Sequence, residues 1–132
     1  MNREILFRAK HIHAIPGNEH LNGIWVHGYL SDENYIYDKS LEGEFLVDED
    51  TICQYTELTN ELGEEFWEND IVQCGHYYGV IKYEDGAFII KWNTKGSEFL
   101  RHDLAYWAYL SNVRVVGNIF DNPELLEEEQ LL

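Results

Sequence analysis

Residues 70–92 read DIVQCGHYYGVIKYEDGAFIIKW, and they contain the strongest fold signal of the chain. The runs 77–83 and 87–92 are rich in β-branched and aromatic residues and flank the pair Asp85-Gly86, and residues 70–74 form a similar run ahead of them. An Asp-Gly pair between two such runs favours a type I′ hairpin turn, because both central residues of that turn need a positive φ angle. The stretch therefore predicts antiparallel strands, and it is typical of adjacent strands in a small SH3-like barrel.

The rest of the chain repeats this pattern of short strands and turns. We expect strands at residues 4–10, 23–30, 35–37, 45–47, 51–56 and 113–120, with breaks at 16–18 and 31–34. Residues 58–69 show no clear period and predict a loop with room for one helical turn. The apolar spacing in residues 100–110 favours a short helix, although their aromatic residues would also suit a strand. Asn122-Pro123-Glu124 predicts a C-terminal helix with Asn122 as its N-cap.

The predicted fold class is mainly β. Many short strands separated by Gly and by Asn or Asp turns are typical of an antiparallel barrel or sandwich, here with an SH3-like barrel portion and one or two short helices. At 132 residues the chain has the length of one domain. We therefore expect residues 1–132 to form a single domain, in which the N-terminal strands and the barrel-like C-terminal half share one core.

The composition excludes several classes of protein. No apolar run approaches the ~18 residues that a membrane-spanning helix needs, and the first residues do not resemble a signal peptide. The two cysteines, Cys53 and Cys74, are too few for a disulfide scaffold and lack the spacing of a paired metal or redox motif. We expect a cytoplasmic protein that does not associate with membranes.

The acidic charge is concentrated in one part of the chain. The formal net charge is -16, and between Lys39 and Lys82 there are eleven acidic residues and no Lys or Arg. Such a charge repels phosphate backbones, so we do not expect direct binding of nucleic acid. The stretch is either a solvated surface that keeps the protein soluble or a docking face for a basic protein partner. The candidate interaction face consists of Glu57, Glu61, Glu64, Glu65, Glu68 and Asp70.

Five blocks of sequence carry a family resemblance. They are 3–9 (REILFRA), 25–30 (WVHGYL), 47–56 (VDEDTICQYT), 66–72 (FWENDIV) and 115–126 (VVGNIFDNPELL). In these blocks, and in their order, the chain resembles the YopX family of small phage and prophage proteins. Asn69 stands where the family usually has Gly, which is a mild change because Asn tolerates a positive φ angle. The resemblance implies a compact β-rich protein encoded by a phage or an integrated element, and it supplies no functional residue to carry over.

Two histidines are candidates for a metal site. His11 and His13 lie two apart on a predicted strand and share a face, so they could supply two zinc ligands, with His20 or His27 as a third. No second His pair or carboxylate has the spacing of a metal motif. We therefore favour a solvent-facing pair of histidines beside a turn over a metal site.

Two further sets of side chains have simpler structural explanations than catalysis. Cys74 and His76 lie two apart in a predicted strand like a thiol and its base, but their surroundings are acidic and no third group orients them, so a structural Cys is favoured. Glu68 and Asp70 could bind magnesium or act as an acid/base pair. A turn with Asn69 in the left-handed conformation, in which Asp70 holds the loop, explains this block more simply.

The sequence favours a binding function. Its many Trp and Tyr side chains suit a core and a protein interface. Our main hypothesis is a phage or prophage accessory protein that binds a protein partner, uses no cofactor and is not an enzyme. The alternatives are an acidic DNA mimic that inhibits a DNA-binding protein, and a metal-dependent enzyme. Self-association into a homo-oligomer also fits, because small β proteins have sheet edges to cover.

Overall fold

The computed structural model describes residues 5–13, 22–93, 101–110 and 112–130. The chain divides into two compact units, Met1–Tyr55 and Thr56–Leu132. A 3-10 helix covers Glu49–Thr51. The break expected at residues 16–18 lies outside the described residues. The strands and helices of the described residues are β1 (Phe7–Lys10), β2 (Trp25–Asp32), β3 (Tyr35–Asp38), β4 (Gly43–Leu46), β5 (Cys53–Thr59), β6 (Glu65–Trp67), β7 (Asp70–Cys74), β8 (Tyr77–Glu84), β9 (Ala87–Trp92), β10 (Arg101–Asp103), α1 (Leu104–Leu110), β11 (Arg114–Asn118) and α2 (Glu124–Gln130).

The first unit is built on an antiparallel sheet with the strand order β4-β3-β2-β1-β5. Strand β3 alternates between a buried and an exposed face, as a period-two pattern requires. In β3 the side chain of Ile36 is fully buried, whereas Tyr35 and Tyr37 on either side are 40% and 39% exposed. The buried cluster of this unit consists of Ala9, Val26, Ile36 and Val47.

The carboxylate of Asp38 organises the end of β3. It is buried and accepts hydrogen bonds from the backbone N–H of His27 at 2.9 Å and from the backbone N–H and hydroxyl of Ser40 at 3.0 and 2.6 Å, with a further one from Leu41 N–H. Burial raises the pKa of Asp38, but the hydrogen bonds from Ser40, His27 and Leu41 outweigh it, so the pKa is lowered overall. The ionised carboxylate therefore stabilises the turn that follows β3.

The second unit contains a five-stranded antiparallel sheet with the order β10-β9-β8-β7-β11. The β8–β9 hairpin turns at Asp85 and Gly86, whose φ angles of 53° and 84° confirm the predicted type I′ conformation. The resulting register pairs Ile81 with Ile90, and both side chains are fully buried. Strand β5 continues into this unit, where β6 is its neighbour.

Helix α1 completes the core of the second unit. Leu104 and Ala108 are four residues apart and therefore lie on one face of the helix, and both are buried. They pack in one cluster with Phe66, Val72, Ile81, Ile90 and Val113. The helix expected in residues 100–110 is thus confirmed from Leu104 onward, while Arg101–Asp103 is strand β10. Residue 100 lies outside the described residues.

The mainly antiparallel β class with short helices is confirmed, but the closed barrel is wrong. A barrel needs hydrogen bonds between its first and last strands. In the described part of the second unit, β10 and β11 are the two edge strands of an open sheet. Helix α1 packs on the apolar face of this sheet, which a closed barrel would have enclosed. The SH3-like portion stays a prediction. So does the single domain with one core over residues 1–132, since the described buried residues form one cluster within each unit.

Residues 58–69 differ from the predicted loop. They contain the end of β5 and the strand β6, in which Phe66 and Trp67 are buried. The connection between these strands is organised by Asn60: its Oδ1 accepts from the N–H groups of Leu62 and Glu64, both at 3.0 Å. The hydrogen bonds of one buried amide side chain shape this segment. Because they produce no repeating pattern of residues, the periodicity of the sequence does not reveal the strands here.

The C-terminal helix is confirmed, with a different role for Asn122. The backbone carbonyl of Asn122 accepts from Leu125 N–H at 3.1 Å, but its side-chain oxygen accepts from Asn118 N–H at 3.2 Å. The Asn122 side chain therefore closes the turn before the helix. Gly117 leaves room for it, since a Cβ at Gly117 would collide with the Asn122 amide.

Candidate functional site

An open, aromatic-lined cavity of about 480 Å³ lies in the second unit. Several elements meet around it: the end of β7, the turn into β8, the end of β9, strand β10 and helix α1. Cavities lined by aromatic groups with few polar ones are typical binding sites. The lining residues are Cys74, Gly75, His76, Tyr77, Trp92, His102 and Trp107.

Trp92 and His102 are held together in the wall of this cavity. The indole Nε1–H of Trp92 donates a hydrogen bond to Nδ1 of His102 at 2.7 Å. Because an indole nitrogen only donates, Nδ1 of His102 must carry the lone pair, and the ring proton of the neutral imidazole sits on Nε2. The bond therefore fixes the position of both rings and the tautomer of the histidine.

Trp107 of α1 completes the aromatic wall. Its ring centroid lies 5.8 Å from that of Trp92 with an interplanar angle of 64°, and 4.4 Å from that of His102 with an angle of 43°. These are the spacings of attractive edge-to-face and tilted aromatic pairs. The three rings support one another, so their arrangement exists before any ligand enters.

Gly79 provides the space in which Trp92 lies. The two residues face each other across the β8–β9 hairpin. A Cβ at Gly79 would lie 3.0 Å from Cε3 of Trp92 and 2.6 Å from Cγ2 of Ile90. The absence of a side chain at Gly79 therefore lets the indole ring pack across the neighbouring strand.

The cavity lies in a strongly acidic unit whose described basic side chains already have polar partners. Residues 56–132 contain fifteen acidic and five basic side chains. Lys91 and Arg101 both pair with Glu84, at 3.0 and 2.6 Å, and Lys82 donates to Asn69. The fourth, Arg114, pairs with Glu64, and Lys95 lies outside the described residues. Among the described residues that line the cavity there is no Lys, Arg, Asp or Glu.

Only part of the candidate interaction face is exposed to solvent. Glu57, Glu61 and Glu65 are exposed and Glu68 is half-buried. Asp70 is 2% exposed and accepts from Trp67 N–H at 2.8 Å, so its carboxylate serves the turn and cannot meet a partner. The remaining side chains stay a predicted face.

Glu64, the sixth residue of that face, is bound within the unit. Its Oε1 accepts from Nε of Arg114 at 3.0 Å and from the side-chain amide of Asn60 at 2.6 Å. The hydrogen bond from Arg114 is the largest cause of a lowered pKa of Glu64, with a further contribution from Asn60. Glu64 therefore joins the β5–β6 connection to β11.

His11 and His13 are adjacent in the structure, but not as the expected solvent-facing pair. His11 is buried: its Nδ1 donates to the carbonyl of Leu46 at 2.7 Å, and its Nε2 accepts from Nδ1 of His13 at 2.9 Å. The two nitrogens that could bind a metal, Nε2 of His11 and Nδ1 of His13, are therefore hydrogen-bonded to each other. Among the described residues no third His, Cys, Asp or Glu joins them in a metal-binding group, and His20 lies outside those residues.

The other two candidate sets have local roles. Asn69 has a φ angle of 70°, which confirms the left-handed turn expected in the block 68–70. Cys74 ends β7 and lines the cavity, whereas His76 lies in the turn rather than in the same strand. The predicted side-by-side arrangement of Cys74 and His76 on one strand face is therefore wrong, because the chain reverses at Gly75, whose φ angle is 61°.

The first unit presents a different aromatic surface. Tyr29 and Tyr37 are paired across β2 and β3, and both are 39% exposed, as is Leu30. Trp25 in the same unit is already covered by a cation, since the guanidinium carbon of Arg8 lies 4.8 Å from its ring centroid. This unit thus shows how the chain itself pairs a guanidinium group with an indole.

Comparison with known proteins identifies a family. A family model described as YopX protein matches residues 15–127. A search of the curated proteins finds nothing that matches. Within the described residues, neither helix has the length or the apolar character to cross a membrane.

Proposed function

The chain belongs to the YopX family, and from that premise and the aromatic cavity of the second unit we propose a phage or prophage accessory protein that binds a protein partner and catalyses no reaction. The same proposal places the protein in the cytoplasm, where a partner from the infected cell is accessible.

The observation that carries the proposal is the preformed aromatic wall of the cavity. Trp and Tyr are the side chains most enriched at binding hot spots, because they bury a large area at a small cost in conformational entropy. Here Trp92 and Trp107 are fixed by their contacts with His102, so little ordering is required on binding. At the rim, Tyr77 is 54% exposed and available for contact.

The charge of the unit favours a basic partner. The carboxylates of Glu61 and Glu65 are exposed, and the described basic side chains of the unit already have polar partners. A field of this sign attracts a basic protein from a distance and repels nucleic acid.

Affinity capture with a matched pair of variants tests the proposal. Tyr77 and Tyr83 lie in the same strand and are both 54% exposed, but only Tyr77 lines the cavity. We expect Tyr77→Ala to lose a specific protein that the wild-type chain and Tyr83→Ala retain from a lysate of the host cell. Equal recovery by both variants would place binding elsewhere and contradict the cavity as the binding site.

If the protein is instead an acidic DNA mimic, the same experiment should give a different result. This alternative predicts that the captured protein binds DNA, and that the double variant Glu61→Gln, Glu65→Gln loses it while Tyr77→Ala keeps it. That outcome would replace the proposed cavity-based binding with binding through the candidate interaction face.

A further inference from the structure

We infer that the aromatic cavity of the second unit is a site for a guanidinium group, which an arginine side chain of the partner protein supplies. This inference rests on the proposed binding function and names the chemistry that the cavity recognises.

The side chains that line the cavity suit a cation. Trp92 and Trp107 offer indole rings, which attract cations more strongly than the other aromatic side chains. His102 is held with its Nδ1 lone pair toward Trp92, so the imidazole in this arrangement is neutral and does not repel a cation. Among the described residues, no basic side chain lies over Trp92 or Trp107, in contrast to Trp25 under Arg8.

The acidic charge of the second unit complements a cationic ligand. The acidic side chains of residues 56–132 outnumber the basic ones three to one, and each described basic side chain of this unit already has a polar partner, with Lys91 and Arg101 sharing Glu84. The excess negative charge raises the local concentration of cations around the cavity. An anionic ligand such as a phosphate is disfavoured by the same charge.

The cavity wall favours arginine over lysine. The cavity wall is aromatic and has few hydrogen-bond acceptors, so a cation that enters must give up much of its water. A guanidinium group is more weakly hydrated than an ammonium group, and its plane can stack on indole and imidazole rings. The cavity volume of about 480 Å³ is ample for such a side chain.

Three small ligands test the inference on the full-length protein. They are the Nα-acetyl methylamides of arginine, of citrulline, which is its neutral isostere, and of lysine. Titration at about 0.15 M salt limits unspecific attraction to the acidic surface, because the Debye length is then about 8 Å. We expect arginine to bind at least about fivefold tighter than citrulline, the ratio that corresponds to about 1 kcal/mol of cation–π attraction, and also tighter than lysine.

Matched variants locate the binding. Trp107→Leu keeps apolar volume but removes the indole, and we expect it to abolish the advantage of arginine over citrulline. Tyr109→Leu changes an aromatic residue of the same helix that is 79% exposed and outside the cavity, and should alter the affinity by less than about twofold. If Trp107→Leu does not fold, Tyr77→Leu at the exposed rim replaces it, and we expect it to reduce the advantage of arginine over citrulline without abolishing it, because both indole rings remain.

Two outcomes would overturn the inference. If arginine and citrulline bind equally well, the cavity recognises shape or apolar surface. If arginine and lysine bind equally well and neither cavity variant changes this, the acidic surface attracts cations without specificity. In either case a captured partner that still depends on Tyr77 would leave the proposed function in place and remove only the arginine assignment.

Discussion

Trp92 and His102 are joined by a 2.7 Å hydrogen bond between the indole Nε1–H and the imidazole Nδ1. The two residues come from neighbouring strands, β9 and β10, and both rings contact Trp107 of α1. Since the bond uses the only polar atom of the indole, the rest of the ring is left to present an apolar, electron-rich face to the cavity. The binding proposal depends on this arrangement.

Replacing His102 with Phe should loosen Trp92. The substitution keeps an aromatic ring against Trp107 but removes the acceptor of the indole N–H. We expect a loss of about 1 kcal/mol in the free energy of unfolding, the usual cost of one such hydrogen bond, measured by urea denaturation. His76→Phe is the control, because His76 is exposed in a turn. Equal stability of the two variants would show that the bond contributes nothing.

Gly79→Ala should disturb the core beneath the cavity. The new Cβ would lie 2.6 Å from Ile90 and 3.0 Å from the Trp92 ring, and overpacking of this kind costs about 1–3 kcal/mol. Gly43→Ala in β4 is the matched control, since its Cβ would meet only the ring of Phe45 at 3.7 Å. Thermal unfolding of both variants compares them, and a Gly79→Ala protein as stable as Gly43→Ala would contradict the packing described for Trp92.

The stability of the protein should depend on the ionisation of Asp38. Its pKa is lowered from the ordinary value of 3.8 in the folded state, so the carboxylate contributes stability above that value and loses it as the pH falls through the lower folded-state pKa. Asp38→Asn places an amide N–H₂ against backbone N–H groups, and we expect it to cost about 2 kcal/mol at pH 7.

Denaturation of the wild type and of Asp38→Asn at several pH values checks this expectation. The difference in stability between them should be largest near neutral pH and should shrink below about pH 4, where the unfolded carboxylate begins to bind protons. A difference that stays constant with pH would mean that the charge of Asp38 has no role.

The hydrogen bonds of Asn60 and Glu64 should contribute to the free energy of unfolding rather than to partner binding. The side-chain amide of Asn60 donates to Val113 C=O at 2.9 Å and to Glu64 at 2.6 Å, besides accepting from the loop backbone. Asn60→Ala should cost about 2–3 kcal/mol, because it leaves several of these groups unpaired. Glu61→Gln, next to it in the chain and exposed, should change the stability by less than about 0.5 kcal/mol. Chemical denaturation distinguishes the two effects, and similar losses would contradict the role of Asn60.

The sequence alone predicts the β8–β9 hairpin, but it does not predict the whole cavity. Once Asp85 and Gly86 are assigned to a type I′ turn, counting outward pairs Gly79 with Trp92, and a glycine opposite a tryptophan signals a ring that lies across the neighbouring strand. The Asn69 turn follows from residue chemistry in the same way.

The cavity as a whole was missed because it depends on contacts distant in sequence. Nothing in the local pattern of residues 101–110 indicates that His102 would reach the indole of Trp92, or that Trp107 would pack on both. Strand β6 was missed for a related reason: three residues are too few for a period, and the burial of Phe66 depends on its packing with residues of α1 and β7 that are distant in sequence.

The most direct test of the cavity as the binding site uses the indole N–H signals of the four tryptophans in a ¹⁵N-labelled protein. The captured partner is added, and the shifts of Trp92 and Trp107 are compared with that of Trp25, which lies in the first unit. We predict large shifts or broadening for Trp92 and Trp107, with Trp25 unchanged. A shift of Trp25 while Trp92 and Trp107 keep their positions would contradict the cavity as the site where this protein binds its partner.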